Sequence, residues 1–262
     1  NLQCKLVQGV VLGRTIHAMP PGEREKALPD MNSLEIFLGA DSAAEIKELG
    51  IHVGAPIVFE GYTDYLNADL NKDLIISNSL DNILSLAAFL VLAARIGKEN
   101  PYGVELVLVA AVREEIGREG SAIIAEKIKP NICIGIDFGT AETAKNAIDS
   151  GATLKGGPII VWAEEQGLGV FDYALAKEFV EAAELKNLPY QHGLMTFYGS
   201  DAGIIQKKFG IPSVLIAPPL FAGHNVPEIA SLEEIYRCAD LIIAWRSEEH
   251  RVGKECRSRW SP

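Results

Sequence analysis

Residues 104–137 read VELVLVAAVREEIGREGSAIIAEKIKPNICIGID, and this stretch decides the fold class. Its first nine residues are almost all apolar, which predicts a buried strand, and NICIGID predicts a second one. The residues between them, after Gly120, have the spacing of a helix. A strand, a helix and a strand in succession indicate an α/β fold with a largely parallel sheet.

The rest of the sequence has an earlier and a later part, with different patterns of predicted secondary structure. The later part continues the alternation, with predicted helices at 82–96, at 171–187 and from Ser231, and a predicted strand at 212–217. The earlier part has short strand-like runs broken by Gly, Pro and Asp, with one helix in SAAEIKELG. We therefore predict a small β-rich domain at 1–76 and an α/β domain at 77–245, its mostly parallel sheet flanked by helices.

Both ends of the sequence look atypical. The chain begins with Asn1 and enters strand-like sequence at once, so we expect that an N-terminal portion is absent. Residues 246–262 abandon the helical periodicity before them and resemble the conceptual translation of a sequencing-adapter oligonucleotide. We interpret them as a non-native tail and exclude them from the fold.

Composition restricts the class of protein. The net charge of −11 argues against nucleic acid or an anionic membrane as a partner, because both require a basic surface. The longest apolar run, residues 83–94, is too short to span a bilayer. The four cysteines lack paired spacing, so we expect neither a disulfide framework nor a cysteine zinc site. These features favour a cytoplasmic protein.

Acidic residues occupy the ends of the predicted strands. Glu114 and Glu115 follow the first strand, and Asp137 ends the second. In sheets of this kind, functional residues lie beyond the carboxyl ends of the strands. Asp81 precedes a long apolar helix, and His224 lies in a loop rich in Pro and Gly. Together these oxygen and nitrogen donors suit zinc, cobalt or manganese.

Each residue also has a simpler interpretation. Asp81 is equally well explained as the N-cap of its helix, and Asp137 as the end of a strand. The adjacent glutamates fit a solvated turn, and a single histidine such as His224 is more often structural than a ligand. The order in which all of them occur favours a metal site.

That order resembles a known family. It is carried by SLDN at 79–82, EEIGREGSA at 114–122, IGID at 134–137, YGSDAG at 198–203 and AGHNVPE at 222–228. The order is similar to that of the co-catalytic metallo-aminopeptidases, which include the deblocking, glutamyl and tetrahedral aminopeptidases. The resemblance implies a zinc-peptidase-like catalytic domain, and it implies that the β-rich segment is an inserted domain of the dimerisation type.

The resemblance also implies a role for each acidic residue and for the histidine. Asp81 would bridge two divalent ions, zinc or cobalt. Glu115 and His224 would complete the ligands of one ion, and Asp137 would bind the other. Glu114 would be the general base, since a free carboxylate beside the ligands can accept a proton from water.

The sequence departs from the family pattern in several places. The family has a further histidine ligand in a His-x-Asp motif, which this chain lacks, so we expect this fragment to be inactive or weakly active. Ile83 and Leu220 stand where the family tends to have arginine. Asp201, in YGSDAG, would contact the substrate.

These observations predict an aminopeptidase that removes N-terminal residues from peptides by two-metal hydrolysis. The resemblance implies a homo-oligomer with peptides as partners. One alternative is a noncatalytic relative with a scaffold or peptide-binding role. Another is a metal-dependent deacylase of the same fold, since it needs the same activation of water. A glucanase is disfavoured because glycoside hydrolysis normally uses two opposed carboxylic acids.

Overall fold

The computed structural model describes residues 6–13, 34–70, 72–97, 105–142, 151–164, 169–195 and 198–247. Two compact units divide the chain, residues 1–59 and 60–262. The predicted tail lies outside the described residues from residue 248 onward. Arg246 belongs to the last helix and is only 3% exposed.

The first unit contains few regular elements among its described residues. They are an antiparallel pair of strands and one short helix, β1 (Val10–Leu12), β2 (Glu35–Phe37) and α1 (Ala43–Glu48). Helix α1 begins after Ser42, whose hydroxyl accepts a hydrogen bond from the backbone amide of Glu45. The predicted strand in APIVFEGY, residues 55–62, does not form in the structure.

The second unit contains the remaining strands and helices. The strands are β3 (Thr63–Tyr65), β4 (Leu74–Ser77), β5 (Cys133–Ile136), β6 (Gly139–Thr140), β7 (Ile159–Glu164), β8 (Gly169–Val170), β9 (Gln191–Met195), β10 (Ser213–Ala217), β11 (Pro219–Phe221) and β12 (Glu228–Ser231). The helices are α2 (Leu80–Ile96), α3 (Glu119–Ile128), α4 (Tyr173–Lys186), α5 (Asp201–Phe209) and α6 (Leu232–Arg246). None of the helices in the described part of the chain is long and apolar enough to cross a membrane.

The strands of the second unit form two sheets. One has the order β5-β10-β7-β8, with β9 also paired to β7, and the other has the order β3-β4-β12-β11-β6. Helices α2 and α4 pack against α6, and α3 packs against α5. The main core cluster combines residues of α2, α4 and α6 with residues of β5, β7 and β10. The α/β class with sheets flanked by helices is therefore confirmed.

Strand direction differs in detail from the sequence prediction. The pairs β5–β10, β7–β9 and β6–β11 are parallel, as predicted for most of the sheet. The pairs β7–β10, β11–β12, β4–β12, β3–β4 and β7–β8 are antiparallel. Both sheets are mixed, because short connections such as β11 to β12 reverse the chain without a helical crossover.

Residues 105–112, the described part of the strand predicted at 104–112, do not form a strand in the structure. Residues 105–111 have no ladder partner among the described residues, and Val107 and Leu108 are 45% and 39% exposed. A strand requires a hydrogen-bonded neighbour, and apolar composition alone does not supply one. Nearby β5 pairs only with β10, so it is an edge strand in the described part of the sheet.

The two units meet earlier in the chain than the predicted domain boundary at residue 76. Strand β3 and most of β4 lie within 1–76, but β4 pairs with β12 in the second unit. This ladder connects residues more than 150 positions apart, from Ile76 paired with Ile229 to Leu74 paired with Ser231. Such long-range pairing cannot be read from local composition.

Candidate active site

Three loops bring Asp81, Glu115 and His224 together. His224 Nε2 lies 2.9 Å from Asp81 Oδ2 and 3.8 Å from Glu115 Oε2. One donor atom from each residue lies within 4.8 Å of the other two. We call these three residues the ligand cluster. Asp81 follows β4, Glu115 precedes α3, and His224 lies between β11 and β12.

The ligand cluster suits a divalent cation. Its three side chains differ in exposure, from 10% for Asp81 to 63% for Glu115 and His224, so the donors have a buried and an open side. Burial, and then repulsion by Glu115, raises the pKa of Asp81 to about 7. A cation would remove this repulsion, and two carboxylates with one imidazole are ligands that zinc accepts.

The side chain that caps helix α2 belongs to Asn82, the residue after Asp81, so Asp81 is not the N-cap of this helix. Asn82 Oδ1 accepts a hydrogen bond from the backbone amide of Ser85 (3.3 Å), so Asn82 caps the regular part of α2. Asp81 and Asn82 themselves have non-helical backbone angles. The Asp81 carboxylate therefore lies beside His224 rather than at the amides of the helix.

Asp137 lies beside the ligand cluster but is not one of its three members. Its Oδ1 accepts hydrogen bonds from the backbone amide of Phe138 (2.8 Å) and from Asn82 Nδ2 (3.1 Å). Burial, followed by repulsion from Asp81 and Glu114, raises the pKa of Asp137 to about 8. Asn82 thus connects the Asp81 loop with the end of β5.

Glu114 has a different environment from its neighbour Glu115. Arg118 Nε donates to Glu114 Oε1 at 2.9 Å, and both side chains are about three-quarters buried. Burial raises the pKa of Glu114, and the hydrogen bond from Arg118 opposes this. The turn between Val112 and α3, which carries both glutamates, depends on Gly120, because a Cβ there would lie 2.3 Å from the carbonyl oxygen of Val112.

Asp201 is the first residue of α5 and lines the same cavity, of about 920 Å³, as Asp81, Glu114 and Asp137. Its Oδ1 accepts a hydrogen bond from Ser121 Oγ at 2.5 Å. Burial raises the pKa of Asp201, while Ser121 and then Arg118 lower it. Asp201 therefore lies in the cavity with one carboxylate oxygen already bonded.

Aromatic packing orients the histidine of the ligand cluster. The rings of Phe138 and His224 make an edge contact with centroids 5.6 Å apart. Gly223 permits this approach, because a Cβ there would lie 2.7 Å from the Phe138 ring. The backbone of His224 has φ +62°, a conformation that is uncommon for residues other than glycine.

Sequence reasoning missed Glu228, a buried acid beside the ligand cluster. Its Oε2 accepts a hydrogen bond from the backbone amide of Asp81 (3.1 Å), and its Oε1 accepts one from the amide of His224 (2.9 Å). The available signal was an acidic residue four positions after the histidine in AGHNVPE.

The two positions that depart from the family pattern have different surroundings. Ile83 is 52% exposed and lines the cavity. Leu220 is fully buried in the main core cluster. Hydrophobic side chains therefore occupy both positions, one of them at the site.

Curated proteins similar to this chain include aminopeptidases. A protein of Acetivibrio thermocellus is 29% identical over 225 residues, which cover 84% of this chain and 65% of that protein. The lysyl aminopeptidase of Pyrococcus furiosus is 22% identical over 245 residues, covering 89% of this chain and 66% of that protein. The chain thus spans about two thirds of the length of these relatives.

Solved aminopeptidase structures share the fold. The TET aminopeptidase of a marine sediment archaeon of the Thaumarchaeota has a TM-score of 0.80 at 25% identity, covering 94% of this chain and 70% of that chain. An aminopeptidase of Desulfurococcus kamchatkensis has a TM-score of 0.82 at 25% identity, covering 94% and 66%. The model of the M42 glutamyl aminopeptidase family matches residues 3–241. Motif order, fold and sequence similarity agree, and the chain belongs to the M42 glutamyl aminopeptidase family.

Proposed function

We propose that this chain contains most of the catalytic apparatus of an aminopeptidase that uses two divalent ions, zinc or cobalt, to remove N-terminal residues from peptides. In this proposal Asp81, Glu115 and His224 would hold one ion, and Asp81 and Asp137 would hold the other. When bound, the ions supply Lewis acidity, which lowers the pKa of water and polarises a peptide carbonyl.

The observation that carries the proposal is the contrast between the adjacent glutamates. Glu115 belongs to the ligand cluster, with Oε2 3.8 Å from His224 Nε2. Glu114 is outside it and is hydrogen-bonded to Arg118. One carboxylate is therefore available as a ligand and the other as an acceptor of a proton. We assign Glu114 as the general base, since its carboxylate is largely buried and has a raised pKa.

The charge and shape of the cavity support a peptide substrate. Several acidic side chains line it, together with apolar side chains such as Leu86 and Phe89. An acidic region attracts a cationic group, and the free α-ammonium of a peptide is such a group. We assign Asp201 to substrate binding, since it lines this cavity together with Asp81, Glu114 and Asp137.

We also propose a homo-oligomeric assembly in the cytoplasm. The solved TET1 peptidase of Pyrococcus horikoshii, at 22% identity and TM-score 0.73, is described as assembling into a tetrahedron or a large octahedral shell. The proposal for this chain rests on family membership and on the first unit, with its β1–β2 pair, which we assign to dimerisation.

Two variants of the adjacent glutamates test the proposed function. In the full-length protein, Glu114→Gln should lower turnover of aminoacyl p-nitroanilides by roughly 10²–10⁴, because the amide cannot accept a proton. Its metal content should equal that of the wild type, whereas Glu115→Gln should lose metal. Loss of metal in Glu114→Gln alone would reverse the two roles, and a metal-loaded but inactive wild type would favour the noncatalytic alternative. Hydrolysis of N-acyl amino acids in place of the anilides would favour the deacylase.

A further inference from the structure

Glu228 lies at the start of β12, where the register places it between the two loops that carry Asp81 and His224. Glu228 is opposite Ser77 in the antiparallel β4–β12 ladder, and the chain reaches Asp81 four residues after Ser77. His224 precedes Glu228 by four residues. The side chain is 2% exposed, so its carboxylate is withdrawn from water.

Both oxygens of this carboxylate bind backbone amides of the ligand cluster. Oε2 accepts from Asp81 N at 3.1 Å, and Oε1 accepts from His224 N at 2.9 Å. Hydrogen bonds to an ionised acceptor are roughly twice as strong as neutral ones. One side chain therefore joins two loops that are 143 residues apart (224 − 81) and that meet at the ligand cluster.

We propose that Glu228 is a positioning residue that holds Asp81 and His224 at the separation needed to bind a divalent ion. The inference rests on the proposed metal site. It explains how His224 keeps a left-handed backbone, at φ +62°, because a conformation of this kind persists only when surrounding contacts enforce it. It also explains why Asp81 keeps non-helical angles within the first turn of α2.

The geometry predicts that both the charge and the length of Glu228 matter. In Glu228→Gln, an NH₂ group would replace one of the two carboxylate oxygens. This group is a donor and cannot accept a hydrogen bond from a backbone amide, so one of the two loops would lose its acceptor. In Glu228→Asp, the side chain is one methylene shorter and cannot span both amides. Each variant should release one loop and leave the ligand side chains themselves unchanged.

Glu234 provides a matched control elsewhere in the second unit. It is 1% exposed, and its Oε1 accepts from the backbone amide of Gly157 (3.2 Å) and from Arg237 (2.7 Å). It is absent from the lining of the cavity. Glu234→Gln therefore makes the same chemical change to a buried acid without touching the ligand cluster.

Calorimetric titration of the chelator-treated 262-residue chain with ZnCl₂ tests the inference. Glu228→Gln should weaken the tightest binding event roughly 10–100-fold, the usual effect of removing a group that orients a metal ligand. Glu228→Asp should weaken it less, and Glu234→Gln should leave it within about 2-fold, since distant sites act independently. Thermal unfolding of the metal-free variants should show similar losses for Glu228→Gln and Glu234→Gln, which separates positioning from general stability.

Three results would overturn the inference, and they are distinguishable from a failure of the proposed function. Unchanged zinc affinity in Glu228→Gln, with a wild type that binds, refutes the positioning role alone. A wild type that binds no zinc refutes the metal site and the inference with it. If neither Glu228 variant folds, hydrogen exchange of the backbone amides in the wild type tests the inference instead. The amides of Asp81 and His224 should exchange at least about 10-fold more slowly than in an unprotected peptide. Exchange of both amides at the unprotected rate refutes the positioning role of Glu228.

Discussion

The metal-free protein should become less stable as the pH rises from 5 to 8. Burial, and then repulsion by Glu115, raises the pKa of Asp81 to about 7. Burial, and then repulsion by Asp81, raises the pKa of Asp137 to about 8. The unfolded value of both is 3.8. In this window the folded protein keeps protons that the unfolded chain has released. The associated stability is therefore complete below the unfolded pKa and is lost as the pH rises through the folded pKa.

The size of the effect follows from these two pKa values. Each pH unit between the unfolded and the folded pKa lowers the free energy of unfolding by about 1.4 kcal/mol. Between pH 5 and 8, the loss of stability is therefore roughly 3 kcal/mol from Asp81 and roughly 4 kcal/mol from Asp137. The charge of Asp81 raises the pKa of Asp137, so the two contributions are not independent. The total loss of stability is therefore less than their sum, and we expect about 3–5 kcal/mol. For a chain of this size that corresponds to a fall in Tm of roughly 6–20 °C.

Thermal unfolding of the chelator-treated chain, followed by circular dichroism at pH 5, 6, 7 and 8, measures this dependence. Asp137→Asn removes one of the titrating groups and should reduce the fall in Tm by about half. Zinc should raise Tm more at pH 8 than at pH 5, because its ligands must be deprotonated. A Tm that stays constant or rises with pH in the metal-free wild type would refute the reasoning, as would an unchanged slope in Asp137→Asn.

Three further predictions concern metal binding, packing and assembly. The chain should bind one divalent ion firmly through the ligand cluster and a second weakly through Asp137; two equally tight ions, or none, in a calorimetric titration would contradict this. Gly120→Ala should reduce the free energy of unfolding by roughly 1–3 kcal/mol, because its Cβ would lie 2.3 Å from the carbonyl oxygen of Val112. An unchanged urea midpoint would show that the turn can relax. The full-length protein should be a homo-oligomer by light scattering, and a monodisperse monomer at micromolar concentration would be evidence against a closed assembly.

The regular elements were predictable where their sequence signals are local. Helices α2, α4 and α6 appear within a few residues of the predicted bounds, since helical hydrogen bonds join residues four apart and the apolar face repeats along the sequence. Strands β5 and β10 were likewise predicted from short apolar runs. The motif order was also sufficient to predict the family, because it depends on residue type and sequence order alone.

The failures share one cause. The segment 105–111 is as apolar as a buried strand, and it remains unpaired among the described residues because no neighbouring strand accepts its hydrogen bonds. Strands β7 and β9 were missed, although β7 is central to the first sheet of the second unit and pairs with β8, β9 and β10. Strand pairing joins distant parts of the chain, so it depends on contacts that local sequence does not encode.

The same distinction between local sequence signals and long-range contacts applies to the candidate site. The sequence by itself determined which side chains are available as ligands and as a base, since that depends on residue chemistry and on placement at the ends of predicted elements. Only the tertiary structure decided that Asp81, Glu115 and His224 have donor atoms within 4.8 Å of one another, while Asp137 lies beside this cluster. The same holds for Glu228, whose two hydrogen bonds depend on the pairing of β4 with β12. The physical reason is that a metal site is defined by distances of a few ångströms between residues far apart in sequence, and these distances are set by the packing of the whole sheet.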